Sequence, residues 1–404
     1  MRAYSLLRIG LAQRPLNVNF SLTMPRRGHR SGVYLGLISS LVFVFSGLAL
    51  HGRAQSPAGF CELGAYDGSG NYLGLLANSD TLVSVPFSRS PAFVGTVQSV
   101  SSNVITVNGS PNWTANQFVY AAGTQTNTYY ALIGASSSGP ANPKEGCIYP
   151  VTANGAGTIT LSLNGDTISA IPANAQISLI PYWTLAALFP SANTNVSFTP
   201  TTSTRTFRTE VLIPDFSDPG INLATSKTYY FISSGTNVGW RLFGDAITTD
   251  HGNDILQPDL YFTVRNQNGA PTLPLVVSGN VPVSKLTVPL ATLSTGPQDN
   301  PAAVIRPLDV SLNNCGLSPA TGSFVATTST RNFQDELFLY SNAQVGFNKS
   351  ASSVYFYMNS GWRLFGDAIT NDHGSDLIPA GTAISIRKAT AAGLTVFWTN
   401  TPTY

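Results

Sequence analysis

GWRLFGDAITTDHGNDIL, residues 239–256, returns as GWRLFGDAITNDHGSDLI at residues 361–378, with 14 of the 18 positions identical. The flanks are looser. Residues 202–234, aligned without gaps on 328–360, keep 11 of 33, among them Thr202-Ser203-Thr204-Arg205 and Thr328-Ser329-Thr330-Arg331. One block held far more tightly than its surroundings predicts a module duplicated whole. Core packing tolerates swaps among apolar residues of similar volume, so the block answers to something stricter.

Outward from the block, each copy reads as four steps. An extended segment carries Glu210 or Glu336, an aromatic strand follows (228–232 or 354–358), the chain turns back into WRLFG, and a later strand ends in arginine (260–265 or 383–387). Period-two alternation puts Trp and Leu of WRLF on one face and Arg and Phe on the other. The offset between copies shifts from 126 to 122 after residues 235–238, which predicts a loop tip there, where extra residues cost little. Upstream, β-branched runs at 81–85, 97–100, 104–107, 158–163 and 176–180 are separated by Gly, Pro, Asn or Ser, as in a meander or sandwich. Asn108-Gly109 and Asn164-Gly165 are turn dipeptides, residues 183–188 suit one short helical turn, and 171–179 (IPANAQISL) faintly echoes 378–386 (IPAGTAISI). The expected fold is all-β: a multi-unit antiparallel β-sandwich or barrel-like architecture with an internal tandem repeat. Its parts are a signal peptide (1–54), an N-terminal β-rich domain (55–190), repeat unit A (191–285) and repeat unit B (286–404). Pro-bounded segments at 181–190 and 289–297 suggest that the duplication itself begins near 181 and 289.

The first 54 residues hold seven basic residues and no acid; Arg26, Arg27 and Arg30 precede an apolar run, 33–50, closed by Gly52-Arg53-Ala54. That is the layout of a secretory signal peptide, with Met24 a candidate start, and an uncleaved anchor is the competing reading. Cleavage leaves 14 basic residues against 19 acidic ones, about −5, and no further transmembrane segment. Nucleic acid is excluded as a partner because the basic footprint it requires is missing. With 43% hydrophobic and 10% charged residues, the chain can bury a core while presenting hydroxyl and amide groups to solvent. Three widely spaced cysteines, Cys61, Cys147 and Cys315, make no disulfide framework; they are either buried thiols or hold a single Cys61–Cys147 bridge.

Two constellations could carry chemistry. Asp245, Asp250, His251 and Asp254 recur as Asp367, Asp372, His373 and Asp376. Such acids can cage a cation, calcium by preference, or a transition metal through His and Asp; the expectation is no cofactor, with calcium the one candidate. Equally, Asp and Asn close turns between strands, and Arg241 or Arg363 can pair with a nearby Asp. The second constellation is Trp240 with Arg241 and Trp362 with Arg363, which could stack on sugar rings beside Tyr229, Tyr230, Tyr355 and Tyr357, or could be core. GxSxG, GxxxxGK[ST] and HExxH are all missing, so enzymatic chemistry rests on single acids such as Glu210 or Glu336.

The secretory leader, a VSVPF segment (83–87) and the paired aromatic-strand/GWR/Asp-rich/IR module resemble a family of secreted bacterial β-rich proteins with duplicated modules and no known activity. That resemblance implies secretion and the repeat, and carries no binding residue across. The sequence therefore reads as a non-enzymatic structural or adhesive protein of the cell surface or matrix. Polysaccharide is the candidate partner, and the location is extracellular, at the cell surface, or associated with the periplasm or outer membrane. The alternatives are a glycan-binding module using the aromatic hairpins, a secreted hydrolase, and an outer-membrane barrel suggested by Tyr404 and the alternation in 394–398.

Overall fold

Both GWRL segments are edge strands. In the computed structural model, which describes residues 58–404 except Ser191, Asn195, Asn359 and Ser360, Gly239–Leu242 and Gly361–Leu364 each end a five-stranded antiparallel sheet. The signal-peptide reading falls outside the described residues. Sheet A runs Gly239–Leu242, Thr225–Ile232, Thr209–Pro214, Phe262–Asn266, Ser79–Val83. Sheet B runs Gly361–Leu364, Ser353–Met358, Glu336–Leu339, Ala383–Lys388, Gln298–Ala303. Registers agree as well as order: Arg241 lies opposite Tyr230 and Arg363 opposite Phe356, Glu210 opposite Arg265 and Glu336 opposite Arg387. Residues 235–238 form a loop.

The correspondence extends to the smaller pieces. Ala58–Glu62 pairs with Val276–Asn280 as Leu286–Leu290 pairs with Val396–Asn400, over the same five positions. Trp183–Thr184 pairs with Ile255–Leu256 as Val310–Ser311 pairs with Leu377–Ile378. After each short pairing the chain curls into a helical turn, Leu185–Leu188 or Leu312–Asn314. The first set of strands thus begins at residue 58, and Leu286 opens the second. Residues placed by sequence in an N-terminal domain ending at 190 are divided between sheets: 58–83 contributes strands to the first set, and the strands of residues 93–181 pair only with one another.

Residues 93–181 form a closed six-stranded antiparallel barrel, strands Phe93–Ser101 to Ala175–Pro181. Its first and last strands pair with each other, Phe93 opposite Leu179, so the chain leaves the first set and returns to it at one point. Alternating residues such as Val97, Ile105, Ile133, Val151, Ile159 and Ile177 fill its interior, as small barrels require. Asn164 and Gly165 both take positive φ, but their turn leads out of Thr158–Leu161 into a loop rather than closing a hairpin. The stretch 394–398, whose alternation suggested an outer-membrane barrel, runs into the strand Val396–Asn400, which pairs with Leu286–Leu290 outside the closed barrel. Each strand set has its own core, one around Trp240 and one around Trp362. All three cysteines are buried free thiols, so Cys61 and Cys147 are not bridged. No helix among the described residues is long and apolar enough to cross a membrane.

The two sets meet reciprocally. Asp80 on the edge of sheet A donates its amide to Gly346 O (2.8 Å) and accepts from Asn348 N (2.6 Å), both from the other set. Asp299 on the edge of sheet B donates to Gly220 O (2.8 Å) and accepts from Asn222 N (2.7 Å). Ser84 N to Gly381 O and Ala303 N to Asp259 O, each 2.9 Å, repeat the exchange. A contact in which i meets j and j meets i is the isologous geometry of a two-fold dimer, here within one chain.

Candidate functional site

The 18-residue block forms a turn that is built from its own side chains. The Trp240 and Trp362 indoles point inward, 2% and 1% exposed, against Phe198 (4.9 Å between centroids) and Phe324 (5.0 Å). That burial removes both as stacking faces for a ligand: the period-two face carrying Trp and Leu is the core face. Arg241 and Arg363 are buried under the returning loop rather than presented to solvent. Arg241 donates to Trp240 O (2.7 Å), Thr249 O (3.1 Å) and Asp250 Oδ1 (3.2 Å); Arg363 repeats this on Trp362 O (2.9 Å), Asn371 O (3.4 Å) and Asp372 Oδ1 (3.1 Å). A Cβ on Gly239 or Gly361 would meet the Asp250 or Asp372 carboxylate within 2.6 Å, which explains both glycines.

The remaining acids converge on the histidine. His251 Nε2 lies 2.9 Å from Asp245 and Nδ1 lies 3.1 Å from Asp254, which also accepts from Tyr229 Oη at 2.7 Å. His373 lies 2.8 Å from both Asp367 and Asp376, and Tyr355 Oη donates to Asp376 at 3.1 Å. An imidazole with a carboxylate on each nitrogen donates to both only when protonated. Burial opposes that charge on His373, but the hydrogen bonds to Asp376 and Asp367 outweigh it and raise its pKa. Asn371, the Ala368 amide and His373 together draw Asp367 down to about 2. Asp245 is also lowered, first by the Ala246 amide and then by His251.

In each block the histidine thus bridges two of the three carboxylates, and the third, Asp250 or Asp372, turns one oxygen to the arginine. Among the described residues no group of three His, Cys, Asp or Glu side chains is arranged to hold a metal ion. Glu210 and Glu336 are likewise committed. Burial raises both pKa values, Glu210 accepts from Gln267 (2.7 Å), and Arg387 stands 3.9 Å from Glu336. Arg265 and Arg387 in turn clasp Asp80 and Asp299 with two nitrogens each.

Within the block, one large residue has no such structural account. Phe243 and Phe365 are 65% and 61% exposed, although both copies retain them. Each touches the phenylalanine that follows the TSTR segment: Phe207–Phe243 at 5.9 Å and Phe333–Phe365 at 5.7 Å, edge to face. Behind them Phe207 lies 4.4 Å from Tyr230, and Phe333 4.8 Å from Phe356. The two best-preserved segments of each copy thus meet in one surface aromatic patch. Sequence reasoning fixed on the tryptophans and missed this residue, although the strand alternation already placed Phe opposite Trp.

No protein-family model, curated protein or solved structure matches the chain.

Proposed function

We propose that this is a secreted, non-enzymatic adhesive protein of the cell surface or matrix, attaching to polysaccharide through two equivalent aromatic patches, Phe207/Phe243 and Phe333/Phe365. One observation carries this reading: Phe243 and Phe365 are exposed and identical in both copies, whereas their identical neighbours serve the fold. Exposed aromatic side chains suit the apolar faces of sugar rings, and two linked sites gain avidity without new contacts. The agreement in strand order and register supports a duplicated domain, its first copy interrupted by the barrel. The leader-like first 54 residues and the resemblance to secreted bacterial β-rich proteins support the same setting.

The test is retention of the full chain on cell-wall or matrix polysaccharide. Phe243→Ala or Phe365→Ala alone should each weaken retention by about 100-fold, because one remaining site has no avidity, and the double variant should abolish it. Undiminished retention of a folded double variant would end the proposal. N-terminal sequencing of the secreted form checks the leader.

A further inference from the structure

The second strand set leaves open a surface that the first set covers. In the first, Ile255 packs with Tyr130 and Tyr182, and Asn253 donates to Tyr120 Oη of the barrel region at 3.3 Å. The shared register makes Leu377 the counterpart of Ile255. Leu377 meets no barrel strand; it is 52% exposed and borders a cleft of about 270 Å³. Leu339 and Tyr355 lie on the core side of this cleft, and Tyr66 stands at its wall, 39% exposed. The Tyr66 ring is held in place by its hydroxyl, which donates to Glu62 O at 2.8 Å, and by Tyr72, 5.4 Å away. Ser353 and Glu62 complete the rim.

Three properties define what fits. The volume is just under the ~300 Å³ at which pockets for drug-sized ligands begin, so a single ring is the right size. No Lys, Arg or His lines the cleft among the described residues, so nothing there neutralises an anion. The Glu62 carboxylate lies at the rim, where no hydrogen bond or ion pair to the described residues engages it, so it can accept from ligand hydroxyls. We propose that this cleft binds one neutral sugar ring, with Tyr66 as the stacking face and Glu62 and Ser353 bonding to its hydroxyls. The site is separate from the phenylalanine patches and occurs once per chain, because the barrel covers its counterpart.

Calorimetric titration of the full chain with neutral methyl glycosides of glucose, galactose, mannose and N-acetylglucosamine tests it. One of them should saturate at one ring per chain. Tyr66→Ala and Leu377→Arg, the second placing bulk on an already exposed side chain, should each weaken it about tenfold or more. Glu62→Gln should weaken it less, and the Phe243→Ala/Phe365→Ala double variant should leave it unchanged. The proposal is overturned if none of the glycosides binds, if binding survives both Tyr66→Ala and Leu377→Arg, or if a uronic acid binds better than its neutral parent. Binding lost only in the phenylalanine variant would overturn this site while supporting the patches.

Discussion

Residue by residue, the repeated block is held by packing and by hydrogen bonds that few substitutions can replace. Trp240→Ala or Trp362→Ala should each cost about 3–5 kcal/mol, as deletions of large buried aromatics do, read from chemical denaturation of the purified chain. Phe243→Ala and Phe365→Ala, on the surface, should each stay within about 0.5 kcal/mol of the parent. The imidazole bridge makes a pH prediction. The pKa of His373 is raised above 6.5, so the stability it contributes is complete below that pH and is lost as the pH climbs through the folded value. Asp367 is depressed, so its contribution is present above the ordinary value of 3.8 and disappears as the pH falls through about 2. NMR titration should show His373 titrating above 6.5, and Asp367→Asn should bring it down. Because the loop carboxylates are engaged by protein donors, melting should be flat across chelator and added calcium; a reversible shift would restore the cation reading.

At the scale of elements, the two sheets solve one problem with different chemistry. Between Thr209–Pro214 and Phe262–Asn266, the Thr209 hydroxyl donates to Asn266 at 2.7 Å, a neutral buried pair. The corresponding positions of sheet B hold Asp335 and Lys388, an ion pair almost wholly buried, with Ser323 O, Val325 N and Ala389 N supplying the remaining bonds. Removing one partner of such a pair strands the other charge, so Asp335→Ala should cost about 3–5 kcal/mol. The double variant Asp335→Thr with Lys388→Asn copies the neutral solution and should recover most of that loss in the same denaturation assay. A double variant no more stable than Asp335→Ala would show that the two sheets are not interchangeable here.

Across the whole molecule, the seam between the strand sets rests on a few residues that are identical at matching positions of the two sets. Gly220 and Asn222 keep their identities as Gly346 and Asn348 within the poorly matched stretch, and they are the residues that cap Asp299 and Asp80 across the seam. Asn222 and Asn348 sit at φ of 56° and 51°, a conformation that asparagine tolerates better than most side chains. Asp80→Ala or Asp299→Ala should therefore loosen both sets together. Hydrogen exchange should show lost amide protection at both Ser79–Val83 and Gln298–Ala303 in either variant; loss confined to one strand would disprove the coupling.

Two things were legible in the sequence, the all-β class and the alternation that sets Trp and Leu of WRLF opposite Arg and Phe; that the Trp face is the core face and that GWRL is the edge strand came from the tertiary structure. The two legible features depend on period-two alternation and on turn residues, which act over a few positions. The sequence could not show that Ser79–Val83 completes sheet A across the 93–181 barrel, because strand pairing over so long a separation leaves no local pattern. The Asp and His residues were legible as a cluster but not as a bridge. Only the fold decided that their oxygens face Trp240 N, Tyr229 Oη and the imidazole rather than a common point. The cleft beside Leu377 was equally hidden: Leu377 and Ile255 read alike in sequence, and only the position of the inserted barrel makes one covered and the other exposed.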